Sequence, residues 1–299
     1  MNAIVSGAKT SRFVPMKDAK ESSIFFDVFE RPVFFSGGSD SMYEMTDTKA
    51  IVRHVQGHSP IHIGLVGKGY KVVKMKEICD QVEAQFHQEL DSNLLDDALV
   101  RDSTAYYGGM CIREYLFPKV ASEINSRSNV GFRTIVINGY DGSSSFKLLS
   151  GAIDFFCLNG MVSGSHDVMM ARHTQSLTIP RITDRVKGSI DIFYKQADLW
   201  KRWAHKKITD EMALEAFKAI PNISERRVEQ LMHQYQIEKP THGETVWALY
   251  SAATYYASHS LGQFTVRDTN NDHTAMTMIN REKSIMSWQN TNEFVQLAA

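Results

Sequence analysis

Phe132-Arg133-Thr134-Ile135-Val136-Ile137-Asn138-Gly139-Tyr140-Asp141-Gly142 decides the architecture, because a strand-like run ends there on a dense cluster of turn residues. A second strand-like segment, 145–157, follows that turn, and a third, 103–116, precedes the first. Three such segments in succession, two of them joined at Asn138-Gly139, read as an antiparallel meander. Just upstream the hydrophobic period changes from strand-like to helical. Met75, Ile78, Cys79, Val82, Phe86 and Leu90 recur every three or four residues. A helix from about Met75 to Leu90 therefore has one apolar face to lay against the meander.

Working outward, the segment Ser23 to Phe35 is apolar and reads as short strands broken by Arg31-Pro32. Ala50 to Val55 and Ile61 to Val66 read as two more strands. A third, Tyr70 to Val73, follows the tight Gly67-Lys68-Gly69 turn. Beyond Asn159-Gly160 the chain becomes mostly helical, after a short strand over Asp167 to Arg172. Pro180 suits the first position of a long helix carrying Ile182, Val186, Ile190, Phe193, Ala197, Trp200 and Ala204. Further helices start at Thr209-Asp210-Glu211 and at Ser224-Glu225, and another spans Glu244 to His259. The tail from Ile279 to Leu297 is a last helix or a docking segment. The expectation is an α+β fold: an antiparallel β-meander packed with helices in the first half, and a mostly α-helical second half. Residues 1–22 would be a flexible N-terminal arm, 23–175 a β-rich core, and 176–299 a helical region packed on or next to it.

Composition narrows the function classes. Of 299 residues, 43% are hydrophobic and 22% charged, which is ordinary for a globular chain able to bury a large core. Lys plus Arg (33) nearly cancel Asp plus Glu (34), so the chain is neither an acidic DNA mimic nor a histone-like polycation. Cys79, Cys111 and Cys157 are sparse, odd in number and without C-x-x-C spacing, which fits buried thiols in a reducing compartment. Met1 to Arg12 lacks the apolar core of a signal peptide, and no apolar run approaches the roughly 20 residues of a membrane span. A cytoplasmic location is expected.

Several local patterns invite chemistry. His54, His58 and His62 are four apart, as on one face of a zinc-binding helix, but Gly57 and Pro60 break any such helix. Gly64-Leu65-Val66-Gly67-Lys68-Gly69 looks like a phosphate loop, yet it matches neither the P-loop nor the dinucleotide spacing. Its glycines read instead as a hairpin at positive φ, with Lys68 presented at the tip. In Asn138 to Ser145, amides and hydroxyls could cradle a phosphate, or the segment is simply a strand connection. From Arg172 to Lys207 there are nine Lys or Arg against three Asp, interleaved with Tyr194, Trp200 and Trp203. Cations for phosphates with aromatics for bases are what single-stranded nucleic acid requires. The plainer reading is a solvated helix face with Trp200 in the core. No metal site or cofactor is expected.

Taken in order, Gly64 to Val73 leading into a helix, Asn138 to Phe146, Cys157 to Val162, Arg172-His173-Thr174, and Thr245 to Tyr250 with Ala253 and Tyr256 resemble the family of the domain of unknown function 932. The likeness spans roughly residues 45 to 260. It implies a protein of phages, plasmids or prophages, and the family's name states no activity. The order strand, helix, meander, helices is more distantly similar to Rad52-like single-strand annealing proteins. The leading expectation is a non-enzymatic nucleic-acid-binding protein that binds or anneals single-stranded DNA in recombination or replication and acts as a homo-oligomer. Lys68, Arg113, Arg133, Lys147, Arg172, Arg181, Arg185 and Lys187 would track the backbone, His173 would lie beside them, and Tyr70, Tyr140 or Trp203 would stack on bases. Two alternatives stand beside it. One is a protein that binds and inhibits a host defence or replication component. The other is a nucleotide- or nucleic-acid-processing enzyme using Asp141, Ser143 to Ser145, Asn159 and His173.

Overall fold

The computed structural model describes residues 13–38, 40–54, 59–155, 160–162, 168–174, 186–259 and 274–299. The strands are β1 (Val14–Pro15), β2 (Val28–Ser36), β3 (Met42–Arg53), β4 (Ile61–Gly67), β5 (Leu99–Ala105), β6 (Met110–Asn125), β7 (Ser128–Gly139), β8 (Phe146–Asp154), β9 (Gly160–Val162) and β10 (Val168–Ala171). The helices are α1 (Met75–Glu89), α2 (Ser92–Leu95), α3 (Val186–His205), α4 (Asp210–Lys218), α5 (Glu225–His242), α6 (Val246–His259), α7 (Thr274–Gln289) and α8 (Asn292–Ala298). The fold is α+β, with sheets first and helices after, as the sequence pattern predicts.

The main sheet is antiparallel in the order β1-β5-β6-β7-β8-β10, with β9 also pairing on β8. A smaller sheet has the order β2-β3-β4. The meander therefore has one more strand than the sequence reading gave it. The segment 103–116 is two strands, because the chain reverses at Tyr106 to Gly109 and pairs Ala105 with Met110. At the other end, Arg31-Pro32 does not break β2. It is an edge strand, where a missing N–H costs no ladder bond, and a bulge after Pro32 absorbs the irregularity. Tyr70 to Val73 is not a strand. The Tyr70 amide closes a turn onto Gly67 O at 2.9 Å, and the Lys71 amide bonds His173 O at 3.0 Å. None of Gly64, Gly67 and Gly69 has positive φ, so the expected left-handed glycine hairpin is not how this segment turns.

Both faces of the main sheet are covered. On one, Cys111, Tyr115, Phe117, Phe132, Val136 and Leu148 meet the apolar face of α1 and Phe193 of α3. On the other, Ile112, Ile135, Ile137 and Leu149 meet Met276 and Ile279 of α7. The helical region builds on α6, which is buried along most of its length, and on a cluster of Trp200, Trp203, Trp247, Tyr250, Trp288 and Phe294. Thr209 caps α4 by accepting from the Met212 amide at 3.3 Å. From Val14 onward the expected N-terminal arm is held, with Val14 and Pro15 paired to β5 and the Ser22 hydroxyl donating to Asp102. Pro180, Arg181 and Ile182, proposed to open the long helix, lie outside the described residues, which resume at Val186.

Among the described residues, no helix is long and apolar enough to cross a membrane. Cys79 and Cys111 are buried and not joined in a disulfide, and burial pushes the Cys79 thiol up to about 12. Cys157 lies outside the described residues.

Candidate functional site

Three segments far apart in sequence meet at one end of the main sheet: the end of β4 and the turn after it, the β7–β8 connection, and the residues after β10. Tyr70 sits at their junction. Its hydroxyl donates to Gly139 O at 2.7 Å, and its ring stacks on His173 with centroids 4.9 Å apart. The Asn138 amide donates to Val73 O at 2.9 Å, and the Met75 amide donates to the Tyr140 hydroxyl at 2.6 Å. The β7–β8 connection is thereby tied to the start of α1. Gly64 allows the closest approach: a Cβ there would stand 2.7 Å from Asp141 Cα, so only glycine lets β4 lie against that turn.

The turn is braced by its own hydrogen bonds. Asp141 Oδ1 accepts from the Ser143 amide at 2.9 Å and from its hydroxyl at 2.7 Å, an Asx turn with Gly142 at φ 78°. Burial raises the Tyr70 phenol well above its ordinary range, the Asp141 charge adds to this, and the Gly142 amide opposes both. His173 Nδ1 faces Lys71 O at 3.2 Å. A carbonyl only accepts, so Nδ1 carries the proton and Nε2 is left as a buried acceptor with no partner among the described residues. Burial depresses the His173 pKa, with the Lys71 carbonyl opposing.

The reversal between β5 and β6 completes the site, and the sequence reading missed it. Tyr106, Tyr107 and Gly108 have φ of 56°, 57° and 94°, three consecutive left-handed residues of which two carry side chains. Each non-glycine residue held there costs on the order of 1 to 3 kcal/mol. The loop packs beside β4, and the Gly109 carbonyl accepts from the Tyr140 amide at 2.6 Å. It holds Tyr107 66% exposed and Tyr106 partly so. Gly108-Gly109 was the available signal, masked by strand-like residues on both sides.

The residues predicted to meet nucleic acid divide sharply. Lys68 and Arg172 are exposed at this end of the sheet. Lys147 is half-buried and donates to Ser144 Oγ at 2.9 Å. Tyr70 and His173 are partners of each other, inside the cluster. Arg113 and Arg133 are each 2% exposed and already neutralised: Arg113 by Asp102 and Glu83 at 2.8 and 2.9 Å, Arg133 by Glu114 at 3.0 Å and by Glu282. They cannot track a phosphate backbone from there. Tyr140 and Trp203 are buried as well and offer no stacking surface. Trp200 is buried in the seam, as the plainer reading had it. Arg181 and Arg185 lie outside the described residues, and of Lys187 only the backbone, in α3, is described.

For the enzymatic alternative, Asp141 and Ser143 bond each other and His173 bonds Lys71; Asn159 lies outside the described residues. His54 follows β3 with its ring against Phe29, and His62 pairs with Val52 on β4. His58 lies outside the described residues. Among the described residues, no three His, Cys, Asp or Glu side chains group as metal ligands do.

Fold and site together define an α+β protein whose meander turns and β4 meet in a polar, aromatic-edged cluster. The family described as domain of unknown function (DUF932) matches residues 62–286, and the chain belongs to that family. The match takes in all three converging segments. No curated protein and no solved structure matches the chain.

Proposed function

We propose that this end of the sheet binds single-stranded nucleic acid, with Tyr106 and Tyr107 stacking on bases and Lys68 and Arg172 holding phosphates. The observation that carries the reading is the strained Tyr106-Tyr107-Gly108 loop, which keeps two aromatic side chains exposed and packs beside β4, one of three converging family segments. Left-handed non-glycine residues persist where the surroundings over-determine them, and such positions concentrate at binding sites. Single-strand annealing in a mobile element, which the fold-order likeness to Rad52-like proteins implies, is the finer form of the same proposal. Annealing proteins act as assemblies, and the exposed Phe34, Phe35, Met42 and Tyr43 of the β2–β3 hairpin offer apolar surface for one.

Fluorescence anisotropy with labelled single strands, titrated across salt, tests the reading. Stacking contributes about 1 to 3 kcal/mol per base, so Tyr107→Ala is expected to weaken binding by about tenfold or more. Lys68→Ala should lower the slope of log affinity against log salt by about one. Absence of binding at low salt, salt-independent binding, or unchanged affinity in Tyr107→Ala would sink it.

A further inference from the structure

Lys147 stands on β8 on the face of the sheet that α7 covers, paired across the strands with Ile137 and Met170. Its ammonium gives one hydrogen to Ser144 Oγ at 2.9 Å. The Ser144 hydroxyl in turn donates to Ser145 O at 3.1 Å, so it meets Lys147 with a lone pair. Lys283 of α7 follows the Glu282 that grips Arg133, one helical turn beyond Ile279, which clusters with Ile137 and Leu149 beside Lys147 on that face. Both lysines are half-buried, and among the described residues neither makes an ion pair with a carboxylate.

That combination is unusual. A lysine ordinarily carries its ammonium out to water along its own stem. Here burial depresses both pKa values, and for Lys283 the nearby Lys147 charge depresses it further. Glu282 pulls Lys283 the other way, but its carboxylate is engaged by Arg133. Two partly desolvated cations near each other on one face of the sheet are unfavourable unless an anion comes between them. Lys147 has two N–H donors left and Lys283 has three. The neighbouring Met170 is 63% exposed, so the place is open on one side.

We propose that Lys147, positioned by the Ser144 hydroxyl, and Lys283 form a phosphate-binding site between β8 and α7. The choice of phosphate among oxyanions rests on the nucleic-acid reading above; the choice of an anion does not. A phosphate carries enough oxygens to accept from both ammoniums, and its charge matches the two cations; the Ser144 hydroxyl, whose hydrogen goes to Ser145 O, holds the Lys147 ammonium in place. The site is a few residues from the Asx turn, so it would receive a phosphate on the flank opposite Tyr140.

The test is the melting temperature of the full chain titrated with inorganic phosphate at constant ionic strength, with chloride as control. Phosphate should raise the melting temperature of the wild type and leave Lys147→Gln and Lys283→Gln unmoved. In phosphate-free buffer both variants should melt at or above the wild type, because the like-charge pair is relieved. Lys283→Arg, which keeps the charge, should retain the phosphate response. Absence of a response in the wild type, or an equal one in both Gln variants, overturns the site. A second arm separates the sources of phosphate. Loss of oligonucleotide affinity in the Gln variants assigns the site to a strand's backbone. Retained affinity, with a mononucleotide reproducing the phosphate response, assigns it to a free nucleotide. If the wild type binds no oligonucleotide, the functional reading fails while the inorganic phosphate titration still decides this one.

Discussion

Removing Glu282 should cost more stability than any surface change, because its partner has nowhere to go. Arg133 is 2% exposed in the middle of β7, with Glu114 on one side and Glu282 of α7 on the other. Glu114 is shared, since Arg101 also grips it with two bonds of 2.9 Å. Two guanidiniums and two carboxylates balance. Burial alone would push the Glu114 carboxyl up, but Arg101 and Arg133 outweigh it and hold it below its ordinary range. Burial likewise disfavours the Arg133 cation, and Glu282 and Glu114 more than offset that. Glu282→Ala leaves one positive charge in excess inside the protein. Breaking a buried pair from one side costs about 3 to 5 kcal/mol. For a chain of this size, that is a fall in melting temperature on the order of 10 °C. Urea unfolding followed by tryptophan fluorescence measures it, because Trp200, Trp247 and Trp288 are fully buried reporters. Arg133→Met with Glu282→Leu should recover most of the loss, since a packed apolar pair replaces a buried ionic one at little cost. A loss under about 1 kcal/mol for Glu282→Ala would refute the reasoning, as that is the scale of an exposed pair.

Two further perturbations probe the converging segments. Gly64→Ala forces a Cβ against the Asp141 backbone and should destabilise by about 1 to 3 kcal/mol. Gly67→Ala, with nothing within 4 Å of its Cβ and no positive φ, should be neutral or slightly stabilising. Equal effects in urea unfolding would mean that the close approach of β4 to the turn is not what fixes Gly64. Acid should weaken the fold in a stated window. Burial depresses the pKa of His173, His242 and His259 below the ordinary 6.5, so the unfolded chain takes up protons first. Their contribution is complete above pH 6.5 and declines as pH falls toward the folded values. Glu114 adds a further loss below 4.5, its ordinary value, as pH falls through its depressed one. Melting temperature should therefore fall from pH 7.5 to 5.5, and less steeply in His173→Phe, which keeps a ring on Tyr70. Stability that rises on acidification over that range would contradict the assignment.

What the sequence revealed and what it hid follow one physical division. Helix α1 was legible from its one-sided periodicity, and α4 and α5 from a Thr or Ser at the start, because these signals lie within a few residues of each other. The reversal at Tyr106 to Gly109 was hidden because its left-handed residues are tyrosines, which carry no turn signal, between strands of matching pattern. Charge misled in the same way. Arg113 and Arg133 look like surface cations in one dimension, yet their carboxylates come from 11 to 149 residues away, and only the fold brings them inside. The basic, aromatic stretch of α3 resolves similarly: Trp200 and Trp203 are core, while Lys195 and Arg202 face water. Alternating charge and aromatic residues along a helix puts them on different faces, so such interleaving cannot by itself build a surface where a base stacks beside a paired phosphate. Loops from separate strands can, because each delivers one residue type to a common place. That moves the nucleic-acid reading from α3 to the end of the sheet. There Lys68, Arg172 and the two exposed tyrosines come from three separate connections, and Tyr70, stacked on His173 with ring centroids 4.9 Å apart, ties the first two together.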